Sequence, residues 1–303
     1  MQNQDGHVVE SGTETITSIK ASEIEDWANF RDDDILQQQS AIQAEEAGKI
    51  PFVEHILNGL GLTSGATIFV SSRIQVRKPN FGGENQCLRT RGDGNCFFRS
   101  FMFAYLEHIL QTQDCAEVDR ITANVEQCRK TLLSLGYAEF TFEDFFALFL
   151  EQLESVLSGT GASISHDELV QRSRDQSVSD YVVMFFRFIT LGEIRKRSEF
   201  FEPFVQGLTN TSVEQFCKSS VEPMGEESDH VHITALSDAL GVPIRIVYLD
   251  RSCDDKGSVS VNHHDFTPAA CHITNANSGA TQAAKPFINL LYRPGHYDIL
   301  YPK

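Results

Sequence analysis

The stretch Arg91-Gly92-Asp93-Gly94-Asn95-Cys96-Phe97-Phe98-Arg99 joins a glycine-rich turn to a cysteine. Glycine tolerates backbone angles that other residues avoid, and Asp and Asn favour turns and helix caps. Apolar residues then recur at intervals of three and four from 98 to 109, which predicts a helix that begins near Cys96. A helix N-terminus favours an anion, and this position therefore favours a nucleophilic thiolate. A buried structural cysteine is the alternative interpretation.

The composition is that of an ordinary soluble globular protein of 303 residues, 41% of them apolar and 22% charged. A net charge of −17 argues against partners bound through nucleic-acid phosphates or through an anionic membrane surface. The seven cysteines form no C-x-x-C pair, which disfavours a disulfide framework and favours a reducing intracellular compartment. The first residues do not resemble a secretory signal, and no apolar run is long enough to predict a membrane span.

The pattern of the chain changes twice. Residues 1–45 are polar and acidic, which predicts a mobile or weakly helical arm that docks a partner, or else a solvated leader without a role. The pattern of residues 53–62 predicts a short helix, and the pattern of residues 66–76 predicts a strand. Capping boxes at Ser165 and Ser212 and a buried helix over 181–189 predict a helical block in the middle.

The C-terminal third begins with a helix capped by Asp229 and continues as strands. These are predicted over 243–249, 258–261, 287–292 and 296–301. The sequence therefore predicts an α/β protein with a helical lobe followed by a small, largely antiparallel sheet.

A nucleophilic thiol needs a base, and ten histidines compete for that role. His296 follows a Pro-Gly turn at the start of a predicted strand, and Asp298 lies two residues later on the same face. Asp298 could therefore orient the His296 ring, in the thiol version of a Ser-His-Asp arrangement. A half-buried hairpin histidine is the alternative interpretation. His166 lies in a capping box, where we expect it to face solvent.

Two other histidine clusters could be interpreted as metal ligands. They are His230 with His232, and His263 with His264. Neither has the i, i+4 spacing of a helical zinc pair, and neither lies near paired cysteines. We therefore expect no metal and no cofactor.

Three segments resemble the otubain branch of the ovarian-tumour-domain deubiquitinases. Residues 92–99 are similar to the cysteine box, 291–299 (LYRPGHYDI) to the histidine box, and 222–230 (EPMGEESDH) to a further otubain segment. The resemblance extends over roughly residues 90–303 and is closest to plant-type otubains. We assign residues 46–303 to an otubain-like catalytic domain in which residues 54–89 are atypical of the family.

The resemblance implies a papain-like cysteine protease fold of α+β type. It also implies a deubiquitinating isopeptidase or thioesterase that cleaves bonds to the ubiquitin C-terminus and opposes protein degradation. The implied roles are Cys96 as nucleophile, His296 as general base and then acid, and Asp298 as orienter of the imidazole. Asp93 is implied to lie in the loop that shapes the oxyanion hole.

The expected partners are ubiquitin and polyubiquitin chains, and ubiquitin-conjugating enzymes are left open. We expect a monomer without nucleic-acid or membrane partners, located in the cytoplasm, with a nuclear pool left open. The alternative function is a non-catalytic protein that binds ubiquitin or a ubiquitin-conjugating enzyme and thereby inhibits ubiquitination.

Overall fold

The computed structural model describes residues 53–55, 87–158, 162–248, 262–269 and 285–301, with the backbone alone at 53–55. The predicted acidic arm over 1–45 and the predicted strands over 66–76 and 258–261 lie outside these residues. The predicted domain boundaries therefore stay predictions.

The described residues form eight α-helices. They are α1 (Cys96–Thr112), α2 (Cys115–Ser134), α3 (Glu143–Ser155), α4 (His166–Arg174), α5 (Gln176–Lys196), α6 (Ser198–Thr209), α7 (Val213–Phe216) and α8 (His230–Leu240). A 3-10 turn (Glu139–Thr141) precedes α3, and a π-helical turn (Cys217–Val221) follows α7. None of the helices in the described ranges combines the length and the apolarity needed to cross a membrane.

Several helices begin where the sequence predicts a cap. Ser165 accepts a hydrogen bond from the N–H of Glu168 at 3.1 Å at the start of α4. Ser212 caps α7, and Asp229 caps α8. These side chains satisfy backbone donors that the first helical turn leaves without partners, and the predicted helix starts are confirmed.

Six strands in the described residues form one mixed sheet. They are β1 (Val53–His55), β2 (Cys87–Thr90), β3 (Ile244–Tyr248), β4 (Asn262–Phe266), β5 (Ile288–Arg293) and β6 (His296–Leu300), in the order β1-β2-β6-β5-β3-β4. All neighbours are antiparallel except β3 and β5, which are parallel. The predicted, largely antiparallel sheet is confirmed.

The helix predicted over 53–62 is wrong at its first residues. Val53–His55 form β1, in which Val53 is paired with Thr90 of β2. Pairing with a neighbouring strand satisfies the backbone groups of this short stretch and outweighs its local helical pattern.

Aromatic packing joins the helical lobe to the sheet. The rings of Phe149 on α3 and Phe185 on α5 stack with centroids 4.1 Å apart. Phe97, in the first turn of α1, packs edge-on against Tyr297 of β6 at 5.4 Å. Large buried rings contribute much of a core's apolar area. This core therefore holds the N-terminus of α1 against β6.

Candidate active site

Cys96 is the first residue of α1, as the sequence predicts. Its side chain is buried, with an exposed fraction of 3%. The free amides and the dipole at this helix end favour negative charge on the sulfur. Asn95 occupies the cap position but makes no side-chain capping hydrogen bond, because its amide contacts another part of the chain.

His296 and Asp298 lie on β6, directly after the tight turn from β5. Gly295 in that turn has a φ of +73°, which glycine adopts without strain. The two side chains are buried on one face of the strand, and His296 Nε2 lies 2.9 Å from Asp298 Oδ1. Because α1 packs on β6, this pair faces Cys96.

Donors surround the Asp298 carboxylate on three sides. Besides the imidazole, Arg293 Nη2 donates to Oδ2 at 2.8 Å, and the N–H of Thr90 donates to Oδ1 at 3.1 Å. Burial alone would raise the pKa of Asp298, but the charges of Arg293 and His296, together with these hydrogen bonds, hold that pKa well below its usual range. The carboxylate is therefore ionised and fixed in place.

Neither Arg293 nor Thr90 was expected at the site. Arg293 lies directly across the hairpin from His296. Its place within the histidine box is the sequence feature from which its role could have been predicted. Thr90 has no comparable signal, because its backbone reaches Asp298 through the pairing of β2 with β6.

The His296 ring presents its second nitrogen to Cys96. Nδ1 is buried and forms no hydrogen bond to an oxygen or nitrogen atom of the described residues. Burial lowers the pKa of His296, while the negative charges of Asp298 and Cys96 and the hydrogen bond to Asp298 raise it to about 10. The imidazole is therefore protonated at neutral pH, next to a sulfur that can carry negative charge.

Asp93 lies in the segment that leads into α1, residues 91–95, which we term the cysteine loop. Its carboxylate accepts a hydrogen bond from the N–H of Asn95 at 3.2 Å and forms an ion pair with Arg99. Arg99 is buried and also pairs with Asp180, at a nitrogen–oxygen distance of 2.8 Å. The side chain of Asp93 is therefore held by a buried cation and keeps the loop attached to α1 and α5.

A second segment, residues 222–228, packs against the cysteine loop. Asn95 Oδ1 accepts hydrogen bonds from the N–H of Gly225 at 3.0 Å and from Arg187 Nη2 at 2.8 Å. Gly94 has a φ of +75°, and a Cβ at this position would lie 1.7 Å from the Gly225 carbonyl oxygen. Only glycine fits such a close approach of two backbones. The glycines in both motifs are the sequence feature that could have predicted this contact.

Two other histidines make structural contacts. His232 is buried and forms a capping box with Asp229 at the start of α8. The prediction that His166 faces solvent is wrong, because α4 packs against α1 and brings His166 Nε2 to 2.7 Å from Glu107 Oε1. Within the described ranges no three His, Cys, Asp or Glu side chains are grouped to hold a metal ion.

A helix-terminal cysteine facing a buried His–Asp pair on a hairpin, between a helical lobe and a small sheet, defines a papain-like cysteine protease fold of α+β type. The chain belongs to the otubain family, since the family model described as Peptidase C65 Otubain matches residues 70–302. The resemblance seen in the sequence is thereby confirmed.

Relatives and solved structures agree with this assignment. The chain is 61% identical over 307 residues to ovarian tumor domain-containing deubiquitinating enzyme 1 of Arabidopsis thaliana, covering 100% of this chain and 96% of that protein. It is 37% identical over 270 residues to ubiquitin thioesterase OTUB1 of Homo sapiens, covering 89% and 90%. The ceOTUB1 chain in a complex with ubiquitin aldehyde and UBC13~Ub superposes with a TM-score of 0.67 at 29% identity, covering 88% and 99%.

Proposed function

We propose that this otubain is a deubiquitinating cysteine peptidase that hydrolyses bonds to the C-terminus of ubiquitin. The observation that carries the proposal is the burial of Cys96, at a helix N-terminus, against the hydrogen-bonded His296–Asp298 pair. Relatives named as ubiquitin thioesterases, and OTUB1 structures that contain ubiquitin aldehyde, support ubiquitin as the substrate. Removal of ubiquitin from a protein would oppose its degradation.

In the proposed reaction the Cys96 thiolate attacks the carbonyl carbon of the isopeptide bond. Backbone N–H groups of the cysteine loop, whose shape Asp93 helps to fix, stabilise the oxyanion of the tetrahedral intermediate. Protonated His296 gives its Nδ1 proton to the leaving lysine amine, and a thioester remains on the sulfur. Water then attacks the thioester while His296 takes up a proton, which releases the ubiquitin carboxylate and the thiolate. Asp298 holds the ring through Nε2 in both steps.

A ubiquitin-chain cleavage assay on wild type, Cys96→Ala and Cys115→Ala tests the proposal. Cys115 is an exposed free cysteine on α2 and provides the matched control. We expect cleavage by wild type and Cys115→Ala and none by Cys96→Ala. A ubiquitin with a C-terminal electrophile should attach to Cys96 in peptide mapping. Equal chain loss with wild type and Cys96→Ala would contradict the proposal.

An exposed apolar stripe on α6 fits a protein substrate. It consists of Phe200, Phe204 and Leu208, which are 46%, 53% and 57% exposed and recur every four residues on one helix face. Contiguous apolar groups on a soluble domain mark surfaces that bind proteins. We assign this stripe to the contact with ubiquitin.

A second candidate function is inhibition of ubiquitin conjugation by binding the conjugating enzyme. Solved OTUB1 structures that contain UBC13~Ub or UBCH5B~Ub favour this candidate. The test is a conjugation assay with Cys96→Ala, in which slower chain synthesis without cleavage supports it and an unchanged rate contradicts it. Deletion of residues 1–45 in the same assay measures the contribution of the predicted acidic arm.

We also propose a cytoplasmic location and leave open an additional nuclear pool. Cys96, Cys115, Cys128 and Cys217 are free thiols, which fits a reducing compartment. Imaging of a fluorescent fusion distinguishes the two compartments, and recovery of the protein from the secretory pathway would contradict both.

A further inference from the structure

Arg187 is a buried cation in the middle of α5. Its exposed fraction is 0%, and its neighbours Phe185, Phe186 and Phe188 are buried as well. Moving a guanidinium out of water costs free energy unless hydrogen bonds compensate for the lost hydration. The reaction steps proposed for this site do not involve Arg187. The contacts of Arg187 must therefore explain why it is buried.

The guanidinium joins three parts of the chain. Nη1 donates to the carbonyl oxygen of Val221 at 3.0 Å. Nη2 donates to the carbonyl oxygen of Glu226 at 2.7 Å. Nη2 also reaches the cysteine loop, where Asn95 Oδ1 lies at 2.8 Å and the carbonyl oxygen of Gly94 at 3.4 Å. A single side chain on α5 thus connects the cysteine loop to residues 221–226.

The charge of Arg187 is not neutralised by contact. All four acceptors are neutral oxygens, and Arg187 forms no ion pair with a carboxylate of the described residues. Arg99, the second buried arginine at this loop, differs because it pairs with two carboxylates. Burial lowers the pKa of Arg187 to about 10, and the charges that act on it are those of Glu226, Arg99, Asp93 and Cys96. Arg187 is therefore cationic at neutral pH.

We propose that Arg187 is a positioning residue of this site, which clamps the cysteine loop to residues 221–226 and keeps a positive charge, in contact with no carboxylate of the described residues, close to Cys96. The inference rests on the proposed function. The clamp acts through the loop, because it fixes the backbone N–H groups and the helix start that hold the sulfur. The charge acts through space, because a nearby cation favours thiolate over thiol.

Two variants separate the clamp from the charge. Arg187→Lys keeps the charge, but an ammonium cannot reproduce the planar fork that reaches four oxygens. Arg187→Met keeps the aliphatic stem and removes both effects. Arg245→Met is the matched control, since Arg245 is an arginine of β3 that pairs with Asp265 of β4 at the surface.

The active fraction of each variant is titrated with a ubiquitin C-terminal electrophile. The pH dependence of kcat and of kcat/KM per active site is then measured with a fluorogenic ubiquitin amide. We expect both Arg187 variants to lose ~10- to 100-fold in kcat, because the loop is misplaced. The acid limb is the pH below which kcat/KM falls. For Arg187→Met this pH should be about one unit higher than for wild type, while for Arg187→Lys and Arg245→Met it should be unchanged.

The outcomes separate this inference from the proposed function. If wild type cleaves ubiquitin and Arg187→Met matches it in kcat and acid limb, the inference is overturned and the proposed function stands. If the wild-type protein neither cleaves the ubiquitin substrate nor reacts with the ubiquitin C-terminal electrophile, the proposed function itself is contradicted. Loss of the folded state in both Arg187 variants, seen by circular dichroism, would make Arg187 a structural anchor only and would also overturn the inference.

Discussion

Asp298→Asn is the perturbation that most directly tests how this site holds its base. The wild-type carboxylate accepts hydrogen bonds from His296 and Thr90 on Oδ1 and from Arg293 on Oδ2. An asparagine must turn its NH2 group toward one of these donor sets. Neither the Arg293 guanidinium nor the Thr90 N–H can accept a hydrogen bond, but only Arg293 is charged, so the NH2 group turns toward the side of His296 and Thr90. The neutral ring then accepts through Nε2 and carries its proton on Nδ1. That tautomer cannot accept a proton from Cys96.

The size of the effect follows from the charge that is removed. A pKa of about 10 for His296, against an ordinary value of 6.5, corresponds to about 5 kcal/mol in favour of the imidazolium. Among the influences that raise this pKa, the charge of Asp298 is the largest. We therefore expect kcat to fall by ~10³–10⁴-fold, or about 4–5 kcal/mol, as expected when the orienting carboxylate of such a triad is lost.

The assay is cleavage of a fluorogenic ubiquitin amide across the pH range, with the active fraction titrated for each variant. The alkaline limb of kcat/KM, which reports loss of the His296 proton, should move from near the raised pKa toward the ordinary value. Asp265→Asn makes the same chemical change in the Arg245–Asp265 pair and should leave the profile unchanged. A kcat for Asp298→Asn within about threefold of wild type, with the alkaline limb in place, would contradict the assigned role of Asp298.

Three further predictions concern the cysteine loop, the half-buried His166 and the substrate surface. Gly94→Ala should lower the free energy of unfolding by about 2–4 kcal/mol in chemical denaturation, because its Cβ meets the Gly225 carbonyl oxygen and its φ is positive. The hydrogen bond to Glu107 raises the pKa of His166 in the folded protein, so protonated His166 stabilises the fold below the ordinary histidine pKa of 6.5. His166→Gln should remove this contribution to the free energy of unfolding. In wild type this contribution is lost as the pH rises through the raised pKa. Phe204→Ala should raise KM for ubiquitin substrates by ~3- to 10-fold with kcat unchanged, because a 53% exposed ring of the apolar stripe is removed.

Each of these predictions has a control or a contradicting result. Gly136→Ala has a comparable positive φ but open space around its Cβ, so it should cost only about 1 kcal/mol. Equal costs at the two glycines would show that the close backbone approach is unimportant. If the free energy of unfolding of wild type exceeded that of His166→Gln by an amount that grows with pH, the stabilising role of protonated His166 would be contradicted. Phe140→Ala removes an exposed ring outside α6 and should leave KM unchanged.

Much of the site could be predicted because its signals are local. The turn before Cys96 and the helical period after it place the cysteine at a helix N-terminus within one short stretch of chain. The Pro-Gly turn and the two-residue spacing of His296 and Asp298 place both side chains on one strand face. The β1 strand was missed, because its formation depends on β2 as a partner and not on its own pattern.

The sequence by itself determined the helical lobe, the hairpin and the family, because periodicity, turn residues and caps act over a few neighbouring positions. Only the tertiary structure decided which partners polar side chains take from distant parts of the chain. Asn95 has the residue type of a helix cap, yet its amide binds Gly225 and Arg187, 130 and 92 positions away along the chain. Such contacts depend on how α5 and residues 221–226 pack against the cysteine loop. Packing of this kind follows from the whole core, and no local pattern encodes it.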